Sequence, residues 1–239
     1  WIVPHWSQTS RGRLSPSGTR RMVAEPQFEQ KFIGLSRVYS YTNEMQVTKQ
    51  RVRGNLLDKE PAPLAMCRGQ AAVAFVISDR NSPSLTLCVK APHLRKHAGE
   101  VSLPGGKVEL SDNSVMSAAV RELEEETGLR LTAEHSLGYL NPIESLYQLS
   151  VTPCVFWSDD LLIGKPREQE IARVFSMPMK EFLSQPPTFE VSQYRSPAVW
   201  MPRWHYHNEE IWGLTALIVR DFFQTVAADP MILNRPSMP

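Results

Sequence analysis

The 239 residues predict a domain of the α plus β kind, and three stretches carry that reading. Residues 71–77 (AAVAFVI) and 149–157 (LSVTPCVFW) are short apolar runs of the kind that forms buried strands. Between them, Met116, Ala119, Val120 and Leu123 recur at i, i+3, i+4 and i+7, the buried stripe of an amphipathic helix. Hydrophobic residues make up 42% of the chain, which is ample for a core.

In chain order, residues 1–24 hold Arg11, Arg13, Arg20 and Arg21 among Ser, Thr, Gly and Pro, and the first acid is Glu25. That composition suits a mitochondrial transit segment as well as a plain basic tail. The expected address is mitochondrial, with cytoplasmic or peroxisomal as alternatives; the terminal Ser-Met-Pro is not a Ser-Lys-Leu peroxisomal signal. Residues 25–67 read as an extension. In it, 29–35 can form a short helix, and Lys49, Arg51 and Arg53 face either solvent or a ligand phosphate. Pro61 and Pro63 break the chain before the main domain, expected over 68–228, and a Pro-rich tail follows at 229–239.

Inside that domain, 79–83 is a turn and 85–90 the second strand of a hairpin. Residues 92–99 make a basic loop with His93, Arg95, Lys96 and His97, suited to holding phosphates. Pro104-Gly105-Gly106 follows, and paired glycines let a backbone carbonyl come close to a ligand. Ser111, Asp112, Asn113 and Ser114 are candidate caps for the helix, and Gly128 sits where a glycine ends one. Residues 138–142 end a strand, and Pro153 places the 149–157 strand at an edge or bulge. Residues 199–206 and 210–219 read as a strand and a helix. His205 and His207 share a face if they lie in a strand, as a surface pair or a metal pair. Trp200, Trp204 and Trp212 pack, and one of them can stack on an adenine ring.

The net charge of +1 gives no general attraction to nucleic acid or membrane surface, so any anion site is local. Cys67, Cys88 and Cys154 show neither zinc spacing nor a disulfide framework. No apolar run approaches the ~18 residues of a spanning helix.

The acids of the central helix are unevenly placed. Glu122 and Glu126 are four apart with Glu125 between them, so three carboxylates share an arc of roughly 100° beside the apolar stripe. Arg121, four residues before Glu125, is placed to pair with it. Like charges so crowded repel, and a hard divalent cation with oxygen ligands, Mg²⁺ or Mn²⁺, resolves the conflict. A merely solvated acidic face is the other reading of such a run.

The stretch GGKVELSDNSVMSAAVRELEEETGL resembles the box of the Nudix family: G, five residues, E, seven residues, REU, any residue, EE, any residue, GU, with U a bulky aliphatic. Gly106, Arg121, Glu122, Leu123, Glu125, Glu126, Gly128 and Leu129 match. Asp112 replaces the isolated Glu, and its spacing to Arg121 is one residue longer. That longer loop is similar to the coenzyme A diphosphohydrolase branch. So is TLCVKAPHLRKHAGEVSLPGG, which resembles the branch signature LLTxR(S/A)x₃Rx₃Gx₃FPGG at Leu87, Ala91, Arg95, Gly99, Pro104, Gly105 and Gly106. Thr86, Cys88, Lys90 and Leu103 depart from it, the last two keeping charge and hydrophobicity.

The resemblance implies an α/β fold, a mixed β-sheet sandwiched between helices, with the box as loop–helix–loop. It implies Mg²⁺ or Mn²⁺ held by Glu122, Glu125, Glu126 and a carbonyl at Gly105, with Lys90, Arg95, Gly105 and Gly106 at the substrate. Arg121 joins the catalytic group, and Glu125 or Glu170 serves as base; Glu170 precedes a strand and short helix (EIARVFSMPMKEFL) as in the family. The implied reaction splits coenzyme A, or a derivative, into 3′,5′-ADP and 4′-phosphopantetheine. Other diphosphates (oxidised nucleotides, NADH, capped RNA) fit the same box, and a non-catalytic binding scaffold is the remaining alternative. The expected partner is thus a small molecule, with no membrane and no nucleic acid beyond a capped RNA.

Overall fold

Two ten-residue strands, β1 (Gly69–Ser78) and β7 (Leu149–Ser158), pair in parallel along their full length and form the spine of the domain. The structure is a computed structural model that describes residues 47–160, 164–192 and 199–227, all within the unit Ser40–Pro239. The stretches 1–24, 29–35 and 229–239 discussed above lie outside the described residues.

After α1 (Lys49–Arg53) and β1 come β2 (Ser84–Lys90), β3 (Val101–Ser102), β4 (Gly105–Lys107) and the helix α2 (Val115–Thr127). Then follow β5 (Ser136–Tyr139), β6 (Ile143–Glu144), β7, β8 (Ile171–Pro178) and the short α3 (Met179–Ser184). The described chain closes with β9 (Thr188–Ser192), β10 (Val199–Tyr206), β11 (Glu209–Ile211) and α4 (Gly213–Ala227). β9, β10 and β11 form a separate small antiparallel sheet.

The main sheet splits open at one place. β1 meets β2 only at Ile77–Leu85 and Ser78–Ser84, and the two strands part beyond that. The chain between them fills the gap: β3 pairs with β2 at Cys88 and Val89, while β4 pairs with β1 at Ala71 to Val73. β8 takes the other edge of β2, since Cys88 pairs with both Ser102 and Val174. The diglycine of β4 is therefore wedged into the sheet itself.

Side chains of β1 alternate between two helices, as a two-residue period requires. Phe75 and Ile77 join the larger core with Trp157 and the α4 residues Ile218, Val219, Phe222 and Phe223. Ala72, Ala74 and Val76 join the smaller core with Val115, Ala118, Ala119 and Leu123 of α2. The mixed sheet sandwiched between helices expected above is what the chain forms.

Three expectations change. Pro153 is neither at an edge nor at a bulge: it pairs with Val73 in the middle of the sheet. Its carbonyl accepts from Leu140 N–H, in the connection where β5 gives way to β6, so its missing N–H faces a break in the neighbouring strand. The predicted helix at 210–219 begins only at Gly213, and Glu209–Ile211 is instead a strand returning along β10. His207 sits in the turn of that hairpin at φ 53°, outside the strand that holds His205, so the two do not share a strand face.

The segment before β1 packs on the domain. Val47 and Val52 enter the larger core, and Leu57 pairs with Tyr139. Lys49 reaches Asp159 at 2.8 Å and Arg51 Nε donates to the Val226 carbonyl at 3.0 Å, so these cations hold structure together. Trp204 is buried with its indole N–H donating to the Phe182 carbonyl, and Trp212 is exposed beneath the Arg203 guanidinium. All three cysteines are free. Among the described residues, no helix is long and apolar enough to cross a membrane.

Candidate active site

The helix α2 begins with a reciprocal cap. The Ser114 hydroxyl accepts from Ser117 N–H at 3.0 Å, and the Ser117 hydroxyl accepts from Ser114 N–H at 3.0 Å. It ends at Gly128, left-handed at φ 70°, the conformation that favours glycine after a last turn. Between these stops the helix is rolled relative to the predicted stripe. Val115, Ala118, Ala119 and Leu123 face inward, Met116 and Val120 lie at the margin, and Glu126 is drawn into the buried face.

The three carboxylates therefore occupy three environments. The Glu126 side chain is 4% exposed, and its Oε1 lies 2.6 Å from Lys90 Nζ. Its Oε2 accepts the Gly105 N–H at 3.2 Å. Burial pushes the Glu126 carboxyl above its ordinary pKa, against the pull of the Lys90 ammonium. Glu122 is partly buried and bound to Arg121 Nη1 at 2.9 Å. Glu125 is 49% exposed, with Arg121 Nη1 at 3.7 Å.

Arg121 is more than a partner for Glu125. Its Nε and Nη2 donate to the two oxygens of Asp112 at 3.1 and 2.9 Å, and Nη2 also donates to the Lys107 carbonyl at 3.1 Å. The Asp112 bonds hold the guanidinium firmly charged and hold the Asp112 carboxyl below its ordinary pKa. Arg121 thus ties the helix to the loop before it and aims Glu122. The sequence marks Asp112 as a departure from the box and as one of four candidate caps; the cap is Ser114, and the role of Asp112 shows in the fork it receives.

Gly105 is glycine for lack of room, and Gly106 leaves space that the Glu122 carboxylate occupies. A Cβ at Gly105 would collide with the Ala72 carbonyl and the Val73 backbone of β1, and one at Gly106 would collide with the Glu122 carboxylate. The second collision places Glu122 directly against the diglycine.

Of the expected substrate residues, Lys90 is paired with Glu126. Arg95 is exposed on the 92–99 loop, and no ion pair is formed by it among the described residues. That loop is closed at its base, with Gly99 N–H donating to the Lys90 carbonyl at 3.1 Å and Lys90 N–H to the Glu100 carbonyl at 2.9 Å. His93 Nε2 contacts the Gln169 carbonyl at 3.1 Å, and His97 Nδ1 contacts Glu100 at 2.8 Å. Lys96 lies over the ring of Tyr147, which the sequence did not single out. Glu170 stands at the head of β8, its carbonyl accepting Ala91 N–H at 2.9 Å and its 45% exposed side chain 3.8 Å from Arg167. The two candidate bases, Glu125 and Glu170, are both accessible to solvent.

No group of three His, Cys, Asp or Glu side chains stands at metal-holding spacing among the described residues, where Arg121 and Lys90 pair with Glu122 and Glu126. The donor set nonetheless fits a hard cation. It is all oxygen, it is crowded at one end of a helix, and its most buried member already takes a cation at 2.6 Å.

Carboxylates, a packed diglycine and a lysine from the base of the basic loop thus meet at one end of α2, a donor set suited to cations and phosphate. The model of the NUDIX domain matches residues 68–218. The chain is 36% identical over 177 residues to "Uncharacterized Nudix hydrolase NudL" of Yersinia enterocolitica, covering 73% of this chain and 90% of that protein. It is 38% identical over 164 residues to a protein of the same description from Escherichia coli O6:H1, covering 67% and 84%. A MutT protein structure from Methanosarcina mazei Go1 is 23% identical, covers 51% of this chain and 85% of its own, and superposes with a TM-score of 0.40. The chain belongs to the Nudix family. It is a Nudix hydrolase, acting on a diphosphate substrate; hydrolases of this family use divalent ions such as Mg²⁺ or Mn²⁺.

Proposed function

We propose that the enzyme hydrolyses the diphosphate of coenzyme A or a derivative, giving 3′,5′-ADP and 4′-phosphopantetheine, with Mg²⁺ or Mn²⁺ as cofactor. The observation that carries this reading is the junction of the two motifs. Lys90, from the stretch resembling the coenzyme A signature, meets Glu126 of the box at 2.6 Å, which supports reading the two stretches as parts of one site.

Glu122, Glu125, Glu126 and the Gly105 carbonyl would hold the ion, which supplies charge neutralisation at the anhydride and a bound water of lowered pKa. Arg121 keeps Glu122 pressed against Gly106 while Asp112 keeps Arg121 in place. Arg95, exposed and unpaired among the described residues, is available to a terminal phosphate. Glu125 and Glu170, both accessible, are the side chains able to take the proton of the attacking water. Water adds across the P–O–P bridge, and the negative charge gained by the leaving phosphate is what the cations beside it stabilise.

Mass analysis after incubation with coenzyme A and Mn²⁺ tests the proposal, with NADH, an oxidised nucleoside triphosphate and capped RNA measured alongside. Coenzyme A should give the highest kcat/KM and the two named products. Faster turnover of another substrate would reassign the specificity while leaving the chemistry intact. The acid-poor, Arg-rich composition of residues 1–24 supports a mitochondrial address. Fusing that segment to a fluorescent protein tests it, and a diffuse cytosolic signal would overturn it.

A further inference from the structure

Both oxygens of Glu126 are committed, one to Lys90 Nζ at 2.6 Å and one to the Gly105 N–H at 3.2 Å. A metal ion taken by the second lone pair of Oε1 would stand only about 4 Å from that ammonium, where two cations repel strongly at a site this buried. The Lys90 side chain is 19% exposed, so its ammonium has a way out towards solvent, whereas Glu126 does not. Its backbone has no such freedom. Lys90 N–H and C=O are both bonded to the base of the 92–99 loop, and the next N–H, of Ala91, is bonded to Glu170. Whatever Lys90 does when Glu126 takes another cation, it does by turning its four-carbon stem, within the surroundings of the loop that carries Arg95.

Resting on the reading that Glu126 is a metal ligand, we infer that Lys90 is a placeholder cation. It neutralises Glu126 in the metal-free enzyme, is displaced when the divalent ion binds, and then offers its ammonium to the anionic oxygens of the diphosphate. One side chain thereby couples two ligands. Displacement opposes metal binding alone, and the substrate recovers that opposition by taking up the released ammonium, so each ligand tightens the other by the same factor. A lysine whose role was only to orient Glu126 as a ligand would do the reverse, and its loss would weaken the metal.

The test is Mn²⁺ titration by calorimetry, without substrate, on wild type, Lys90→Met and Glu126→Gln. Lys90→Met should bind Mn²⁺ about tenfold more tightly, since its competitor is gone, a factor of the size that allosteric couplings commonly reach. Glu126→Gln should bind it at least about tenfold more weakly, as expected of a lost ligand. If Lys90→Met binds no more tightly while Glu126→Gln is weak, the displacement is wrong and the metal site stands. If Glu126→Gln binds as wild type does, the metal-site reading itself fails. A second measurement needs no variant and guards against a misfolded Lys90→Met. Labelling of Lys90 in the wild-type enzyme by an amine-reactive ester, read by mass spectrometry, should speed up about threefold or more when Mn²⁺ is added, in line with the freedom of an unpaired lysine stem. An unchanged rate overturns the proposal.

Discussion

The two long helices cover opposite faces of the same strands with opposite materials. α4 lays Ile218, Val219, Phe222 and Phe223 on the sheet, and Phe75 of β1 stacks on Phe222 with ring centroids 4.5 Å apart. α2 lays Ala118 and Ala119 against Ala72 and Ala74, with Leu123 as its one large fully buried side chain. Large side chains bury area, and area is stability. Small ones bury little but let a helix come close, and closeness is what sets Glu122 against Gly106 and Glu126 within reach of Gly105 N–H. One face of the sheet serves cohesion, and the other gives up apolar contact to place charges.

That contrast is breakable. The largest effect belongs to α4: Phe222→Ala should cost about 3–5 kcal/mol in urea denaturation, with little change in kcat of the folded enzyme. Next comes α2, where Glu126→Gln should lower turnover about 10²–10³-fold while the denaturation midpoint moves little. An α2 variant that unfolds the protein, or an α4 variant that selectively ends catalysis, would erase the distinction. Gly106→Ala sharpens it, since the added methyl displaces the Glu122 carboxylate; Mn²⁺ affinity should fall about tenfold with the fold retained, on the scale of losses seen when a ligand is poorly supported.

The smallest effect is pH-dependent. The Asp112 carboxyl is held below its ordinary pKa, chiefly by its bonds to Arg121, so its contribution is present above the unfolded value of about 4 and is lost as pH falls through the lower folded value. Asp112→Asn should therefore cost about 1–2 kcal/mol at neutral pH. The difference from wild type should shrink below about pH 4, as followed by thermal melts across pH.

How much of this was written locally varies by element. The strands at 71–77, 85–90 and 149–157 and the helix before Gly128 follow from periodicity and caps, which act over a few residues, and each is present. The roll of α2 was not legible, because Glu126 counts as a surface residue until Lys90, thirty-six positions earlier, is found beside it. Pro153 misled for a similar reason: proline in a central strand is tolerated here because the neighbouring strand breaks opposite it, a fact of tertiary pairing. Helical spacing pairs Arg121 with Glu125, whereas its better partner, Asp112, lies in the loop before the helix. The strand 199–206 is legible, but its return arm 209–211 is hidden at the head of an apolar run that serves strand and helix equally well.

The parallel pairing of β1 with β7 joins Gly69 to Leu149, and everything that bears the box lies in the excursion between them. Such a junction closes only after the intervening chain exists and its loop entropy has been met, so this topology is slow to assemble by comparison with helical bundles. On the ribosome, the chain has passed the last glutamate of the box well before β7 is available to lock the sheet beneath it. The enzyme's capacity to act is thus an attribute of the completed spine, and a nascent chain that stops short of Ser158 carries every box residue without the sheet that brings them together.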